Sequence, residues 1–434
     1  MRIKHHNAMW DKIYLVYYVV VVLLLFFLMR PFVPMNDAIR NVLYVAIFLP
    51  AFFRIKYFLP VFVFFMSFSG YSFSPVLPTH WGYSLILVIF ALLFAKKKQI
   101  NILSFVAPLF FVLLDFIHGG LATWSPWIFI MILLGALICD KKDICAVVLS
   151  LILVSVSLSL LYLLYFDSFE WMKHASDNEY YSTSGWMNHN KFDSSLGCGA
   201  LLAIAVLSKQ FRNNFNSTFY RVIAIASIVL TIIVMLKDAS RGSILSLVCS
   251  AMVLIAMAKT KPRMKVSIIV TMLIIVVVAL AFTSADYVVS RFSEQNVSTA
   301  GNRLEIWNEK IYLFFSDLDF FKLLFGIGWT ECLNLGTDIS THNDWITAFV
   351  AFGFVGLLVY SSIYIALLFM SYHKNAISLS VLLFLFLESM VLEPFFRGNG
   401  MMVLLYIIAM KYSIVYKRKK TLSVQSLDNT NKHQ

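Results

Sequence analysis

Charge is what this chain has least of. Only 13% of its 434 residues are Asp, Glu, Lys or Arg, 60% are apolar, and the mean hydropathy is +0.81. So few charges cannot cover two or three domains with a water-compatible surface, which excludes a soluble enzyme. Cysteine is sparse as well. Of the five, Cys139, Cys145, Cys198 and Cys249 fall in or near apolar runs and Cys332 stands alone in a connecting segment, so no disulfide framework is expected. The chain has no Walker loop, dinucleotide fingerprint, H-E-x-x-H helix or paired-cysteine motif, and neither a cofactor nor a metal site is expected. The first apolar run ends at Arg30-Pro31-Phe32 without a small-residue cleavage pattern. It is expected to stay as an anchor and not to leave as a signal peptide.

What the chain does contain is apolar runs of membrane-crossing length. Read between charge clusters, they fall at about 13–29, 39–53, 57–73, 83–95, 100–117, 127–139, 144–166, 194–208, 220–236, 242–258, 266–284, 345–370, 376–393 and 399–416. The expected fold is all-α: a polytopic helical membrane protein with about 12–14 transmembrane helices, the lower count applying if a pair of the short runs is re-entrant. With the N-terminus inside, the cytoplasmic segments collect 24 of the 35 basic residues and, among the 23 acids, only Asp11, Asp140, Asp143 and Asp428. The net charge of +12 is therefore positive-inside signal, and no nucleic-acid partner is expected.

Two external connections exceed ordinary loop length, about 167–193 and about 285–344. In the second, Asn302-Arg303-Leu304-Glu305 has the spacing of a capping box, with Asn302 as cap and Glu305 three residues on. A helix is expected from there. Its apolar residues Leu304, Trp307, Ile311, Phe314 and Phe315 step by three and four, giving one greasy face for the bilayer or the bundle.

The polar residues gather at one membrane face. The runs starting near 194, 242 and 345 all run inward, so their N-termini, with free N–H groups and positive dipole ends, open outside. They are preceded by Asn188-His189-Asn190-Lys191, Lys237-Asp238-Ala239-Ser240-Arg241 and Thr341-His342-Asn343-Asp344, and the loop helix adds Arg303 at a fourth start. If these starts converge they form an anion site at the membrane boundary, which a lipid-linked pyrophosphate would fit. Plainer readings exist for each. Arg241 can be a snorkelling interface residue, Arg303 can pair with Glu305 or Asp286, Asn190 can serve a turn, and the His342 turn can be only a helix cap made by Asp344 or Thr341. Glu388, inside an apolar run, is the main exception to the one-face pattern.

Taken in order, Ser240-Arg241-Gly242, Gly301-Asn302-Arg303 with Trp307, Leu324-Phe325-Gly326-Ile327-Gly328, His342-Asn343-Asp344 and Gly353-Phe354-Val355-Gly356 resemble the bacterial O-antigen polymerase and O-antigen ligase superfamily. The resemblance covers roughly residues 185 to 370. At Asn188-His189-Asn190 many members carry an Asn-Pro-Asn-like turn, from which His189 departs. The resemblance implies a metal-independent membrane glycosyltransferase of the bacterial inner membrane, with a site facing the periplasm. Its implied donor is an undecaprenyl-diphosphate-linked oligosaccharide, with membrane lipid and a chain-length regulator as further partners. The expected organisation has four parts: N-terminal helices and a first periplasmic loop over 1–184, a catalytic core over 185–370 including the loop 285–344, C-terminal helices over 371–420, and a cytoplasmic tail over 421–434.

Residue by residue, the resemblance puts Arg241 and Arg303 on the donor pyrophosphate and His342 near the acceptor hydroxyl, with Asn343, Asp344, Asn190 and Lys237 as further substrate-binding residues. Physical chemistry gives these roles a reason. A lipid diphosphate leaves as a stable anion, so fixed positive charge helps more than a proton donor, and arginine offers phosphate a planar, always-charged fork that Lys237 lacks. The attacking hydroxyl does need a base. A helix N-terminus disfavours imidazolium and keeps His342 able to accept a proton, with Asp344 the competing base. Backside attack would invert the anomeric carbon. The expected function is polymerase; the alternatives are ligase, which transfers the glycan to lipid A core, and a flippase of lipid-linked oligosaccharides.

Overall fold

The computed structural model describes residues 81–95, 102–120, 133–164, 189–208, 218–237, 241–257, 303–336, 341–371 and 375–392, with isolated positions between 58 and 63, at 98, between 262 and 274 and between 395 and 412. The expected spans near 13–29 and 39–53, most of those near 57–73, 266–284 and 399–416, residues 127–132 of the one near 127–139, and the cap residue Asn302 lie outside the described residues.

Among the described residues every regular element is a helix, as the apolar runs require. In chain order they are α1 (Trp81–Phe94), α2 (Ile102–Ile117), α3 (Lys141–Leu164), α4 (His189–Leu207), α5 (Thr218–Lys237), α6 (Arg241–Met257), α7 (Arg303–Ser316), α8 (Phe320–Phe325), α9 (Trp329–Asn334), α10 (Asp344–Ser371) and α11 (Ala376–Ser389). α3, α5 and α10 are long and apolar enough to cross a membrane, while α4, α6 and α11 are apolar but shorter. The protein is an all-α helical membrane protein.

The helix starts follow local chemistry. At α3 the Asp140 carboxylate accepts from the backbone N–H of Lys142 and Asp143, while Asp143 reaches back to accept from Cys139 and Asp140. This reciprocal cap satisfies donors the helix cannot satisfy itself. At α11 Asn375 accepts from the N–H of Ser378 in the same way.

α4 is the centre of the bundle and packs on α3, α5, α6 and α11. Small residues permit the approach, because within lipid there is little hydrophobic drive between helices and close packing must supply it. A Cβ on Gly199 would overlap Ser155 of α3. Buried hydroxyls add cross-links: Ser155 bonds Thr231 of α5 at 2.9 Å and donates to the Leu196 carbonyl of α4 at 3.1 Å.

α10 is not continuous. Gly353 breaks it with φ 68° and ψ −166°, which frees carbonyls upstream. The turn after α8 takes them, as Ile327 and Gly328 donate their N–H to the carbonyls of Val350 and Ala351 at 3.2 and 2.8 Å. Two glycines make this backbone-on-backbone contact possible. A Cβ on Gly326 would overlap the Ala351–Phe352 backbone, and one on Gly353 would overlap the Leu324–Phe325 backbone. The two glycine motifs of the sequence are thus the two halves of one joint, with the broken backbone satisfied inside protein as a membrane requires.

α7 lies on α10, with Phe314 and Phe315 against Phe349 at ring separations of 5.3 and 6.0 Å. Its inward face is not quite the expected one. Leu304 and Phe315 are exposed, while Lys310 and Phe314 are the buried residues. The Lys310 ammonium goes inward because it donates to the carbonyls of Cys332, Leu333 and Leu335 at 2.9, 3.3 and 2.8 Å, closing the C-terminal end of α9 where the dipole is negative. Aromatic rings also pack on one another inside the bundle. Phe111, Phe352, Trp329, Tyr360 and Phe395 surround Phe396 with ring separations of 5.1 to 5.9 Å.

Candidate functional site

The end of α11 is where the polar helix starts meet. Glu388 is its penultimate residue and is fully buried. Ser194, in the early turns of α4, donates its hydroxyl to Glu388 Oε2 at 2.5 Å. Ser194 also lies 3.2 Å from the hydroxyl of Ser243, in the first turn of α6, and Ser243 and Ser246 flank the same carboxylate. Arg303, the first residue of α7, is within electrostatic reach of Glu388.

The residues just beyond α11 hold the other starts. Val391 packs on Gly242, the second residue of α6, at 3.3 Å from where its Cβ would stand. Met390 accepts at its carbonyl from Asn343 Nδ2 at 3.1 Å, Ser389 Oγ accepts from Trp345 Nε1 at 2.8 Å, and Leu392 accepts from the Asp344 N–H at 3.2 Å. α7 is tied to the same turn, because Trp307 Nε1 donates to the Thr341 carbonyl at 2.6 Å.

Each expected site residue now has a place. Arg241 opens α6 beside Gly242, and Arg303 opens α7, half-buried. Lys237 ends α5 and Asn190 is the second residue of α4, both at the end of the bundle that holds Glu388. His342 is half-buried and, alone of the described non-glycine residues, has a positive φ, +50°. Neither Asp344 nor Thr341 makes the helix cap. Asn343 does, its Oδ1 accepting from the N–H of Trp345 and Ile346 at 2.9 and 3.2 Å. Asp344 is fully buried and accepts from Tyr360 Oη at 2.9 Å and from the N–H of Phe395 and Phe396 at 3.1 and 3.3 Å. These bonds make Asp344 an anchor for the segment after α11.

Sequence reasoning treated Glu388 as an exception and passed over Lys310. A lone carboxylate in an apolar run was the available signal for the first. For the second there was none, since a lysine on an amphipathic loop helix reads as solvent-facing.

A wholly apolar cavity of about 120 Å³ lies beside α6, between it and α5, lined by Met235, Leu236, Ile244, Val248, Met252 and Ile269 among others. It starts about one turn below the helix start that carries Arg241. Fold and site together define a helical membrane protein with a cluster of cationic and polar helix starts gathered at one end of its bundle.

Residues 225–361 match the family model of the O-antigen ligase. The match takes in α6 through most of α10, so it contains Arg241, Arg303 and His342, and it bears out the resemblance to the O-antigen polymerase and ligase superfamily. No curated protein matches the chain.

Proposed function

We propose that the protein is an O-antigen polymerase: an inverting, metal-independent glycosyltransferase of the bacterial inner membrane that joins undecaprenyl-diphosphate-linked repeat units at the periplasmic face. The observation that carries this reading is the convergence of the starts of α4, α6, α7 and α10 on the end of α11. Helix starts supply N–H groups and positive dipole ends, and two of these carry Arg241 and Arg303, so the cluster suits a diphosphate. The apolar cavity along α6 supports a polyprenyl chain running into the membrane from that diphosphate. His342, exposed enough to reach a sugar hydroxyl, takes its proton as the anomeric carbon is attacked from behind. The diphosphate leaves with its charge held by the arginines. Asn343, Asp344, Asn190 and Lys237 are the further substrate-binding residues of this reading.

Polymerase and ligase share this chemistry and differ in acceptor. The compact path from Arg303 to His342, closed by Lys310 and the Gly326–Gly353 joint, favours a second lipid-linked glycan over a bulky lipid A core. Two features speak against the transporter alternative: Glu388, the exception to the one-face pattern, belongs to the cluster at the helix starts, and the break in α10 is filled by the protein's own backbone.

The test is to supply purified protein in lipid with an undecaprenyl-diphosphate repeat unit and to run the lipid-linked products on a gel. A ladder of longer lipid-linked glycans is expected. No ladder, with transfer only after lipid A core is added, would make the protein a ligase.

A further inference from the structure

α10 is apolar and long enough to cross a membrane as one rod, yet its contacts are those of a hairpin. In a straight helix Asp344 and Tyr360 would lie about 24 Å apart at 1.5 Å per residue. Instead Tyr360 Oη donates to the Asp344 carboxylate at 2.9 Å, and the Trp345 ring lies 5.0 and 5.1 Å from those of Tyr360 and Tyr364. Nearer the break, the Ala348 carbonyl oxygen lies 2.8 Å from where a Cβ on Gly356 would stand. The arm 344–352 therefore folds back along the arm 354–371, with Gly353 at the apex. That leaves the second arm to cross. It is about 27 Å long, close to the roughly 30 Å of a bilayer's hydrocarbon. It ends at His373-Lys374-Asn375, whose polarity marks one hydrocarbon edge, so the apex comes at the other edge, on the side of the site.

α8 is docked on that apex. The Leu324–Phe325 backbone meets Gly353, and Gly326 meets the Ala351–Phe352 backbone. At the other end of α8, Phe320 and Phe321 are 77% and 54% exposed, so these rings meet either lipid or water. Depth decides between the two. On the crossing arm the exposed apolar residues begin beside the apex with Phe354 and Leu358 and run on to Leu368 and Phe369, which places α8 at the edge of a lipid-facing surface. The one charge in α8, Lys322, reaches back to the Asp317 carboxylate at 2.5 Å, as a lysine at a membrane boundary does. We propose that α8 is a membrane anchor: it lies at the bilayer edge on the side of the site and inserts Phe320 and Phe321 among the lipid acyl chains. The arm 344–352 joins the apex that α8 grips to the turn that carries His342, so the anchor fixes the depth of that turn relative to the bilayer. This anchoring needs only the membrane fold, whatever reaction the site performs.

The test uses the full-length protein in lipid nanodiscs, with 4-trifluoromethylphenylalanine in place of Phe320 or of Phe369 and fluorine NMR as the readout. Both signals are expected to broaden with a nitroxide carried on the lipid acyl chain and to stay sharp with a water-soluble gadolinium chelate. A signal from position 320 that answers to the chelate and not to the lipid nitroxide would overturn the proposal. One that answers to neither would also do so, because protein and not lipid would then cover α8. If position 369 answers to the chelate, the arm 354–371 does not cross and the anchor falls with it. A charge gives a second readout whose sign is decisive. At a helix start in water a glutamate is harmless or mildly favourable, since it meets free N–H groups. In lipid it is costly, so Phe320→Glu is expected to melt about 3 °C or more below wild type in nanodiscs. Phe320→Trp, which suits the boundary, should melt close to wild type. An unchanged or raised melting temperature for Phe320→Glu would put α8 in water and end the anchor reading.

Discussion

His342 holds a φ of +50°, a region that its Cβ makes unfavourable by about 1 to 2 kcal/mol. The turn that imposes it is fixed on both sides, by Trp307 on Thr341 and by Asn343 on Met390. Glycine adopts that backbone without the penalty. His342→Gly is therefore expected to leave the melting temperature in detergent close to wild type while slowing transfer by about 10²-fold or more, the usual contribution of a general base. A large loss of stability with little loss of transfer would assign His342 to the fold alone. Arg241→Ala should reduce transfer by about 10²-fold or more with normal expression, because it removes fixed charge where the leaving group gains it. Full activity of a well-expressed variant would return Arg241 to the role of an interface residue. At this scale the sequence showed which residue types stand at helix starts, but not how the work is divided. Asn343, Asp344 and His342 are adjacent and polar; only their partners, Trp345 and Ile346 for one and Phe395 and Phe396 for the next, separate a cap from an anchor.

Helices were more legible than joints. The ends of α5, α6 and α10 lie within a few residues of the apolar runs from which they were expected, because a charge cluster or a polar turn ends both the run and the helix. The break at Gly353 was invisible to that criterion, since the residues on both sides are equally apolar and the run continues unbroken. What marks it is a distant segment, Leu324–Gly328, whose backbone supplies the missing hydrogen bonds. Gly326→Ala should therefore act on two helices at once. It places a side chain at φ 79° and into the backbone of α10, and it is expected to cost more than about 3 kcal/mol. A melting curve in detergent checks this, and a wild-type melting temperature would show that α8 does not dock on the break. The same reasoning explains why Lys310 escaped notice: its three carbonyl partners lie more than twenty residues along the chain, on a helix too short to announce itself by periodicity.

Among the described residues the contacts show which helix ends go together. Contacts gather the C-terminal end of α2, the starts of α4, α6, α7 and α10 and the end of α11 on one side, with His118 beyond α2 packed against Gly328 and within 3.1 Å of the Gly326 carbonyl. The start of α3, with Lys141 and Lys142, belongs to the opposite, basic side, because α4 runs back along α3 from the site. All the expected site residues therefore lie at one end of the bundle, which the proposed reading puts at the periplasmic face. Single cysteines test this directly. Asp317→Cys lies in the exposed turn after α7, and Lys142→Cys lies at the exposed start of α3. With a membrane-impermeant maleimide added to intact spheroplasts, Asp317→Cys is expected to label and Lys142→Cys to label only after permeabilisation. The native cysteines give little background on the site side, since Cys332 is buried beneath Lys310 and Cys198 is buried inside α4. The reverse labelling pattern would put the Arg241, Arg303 and His342 cluster in the cytoplasm, where a polymerase acting at the periplasmic face could not use it.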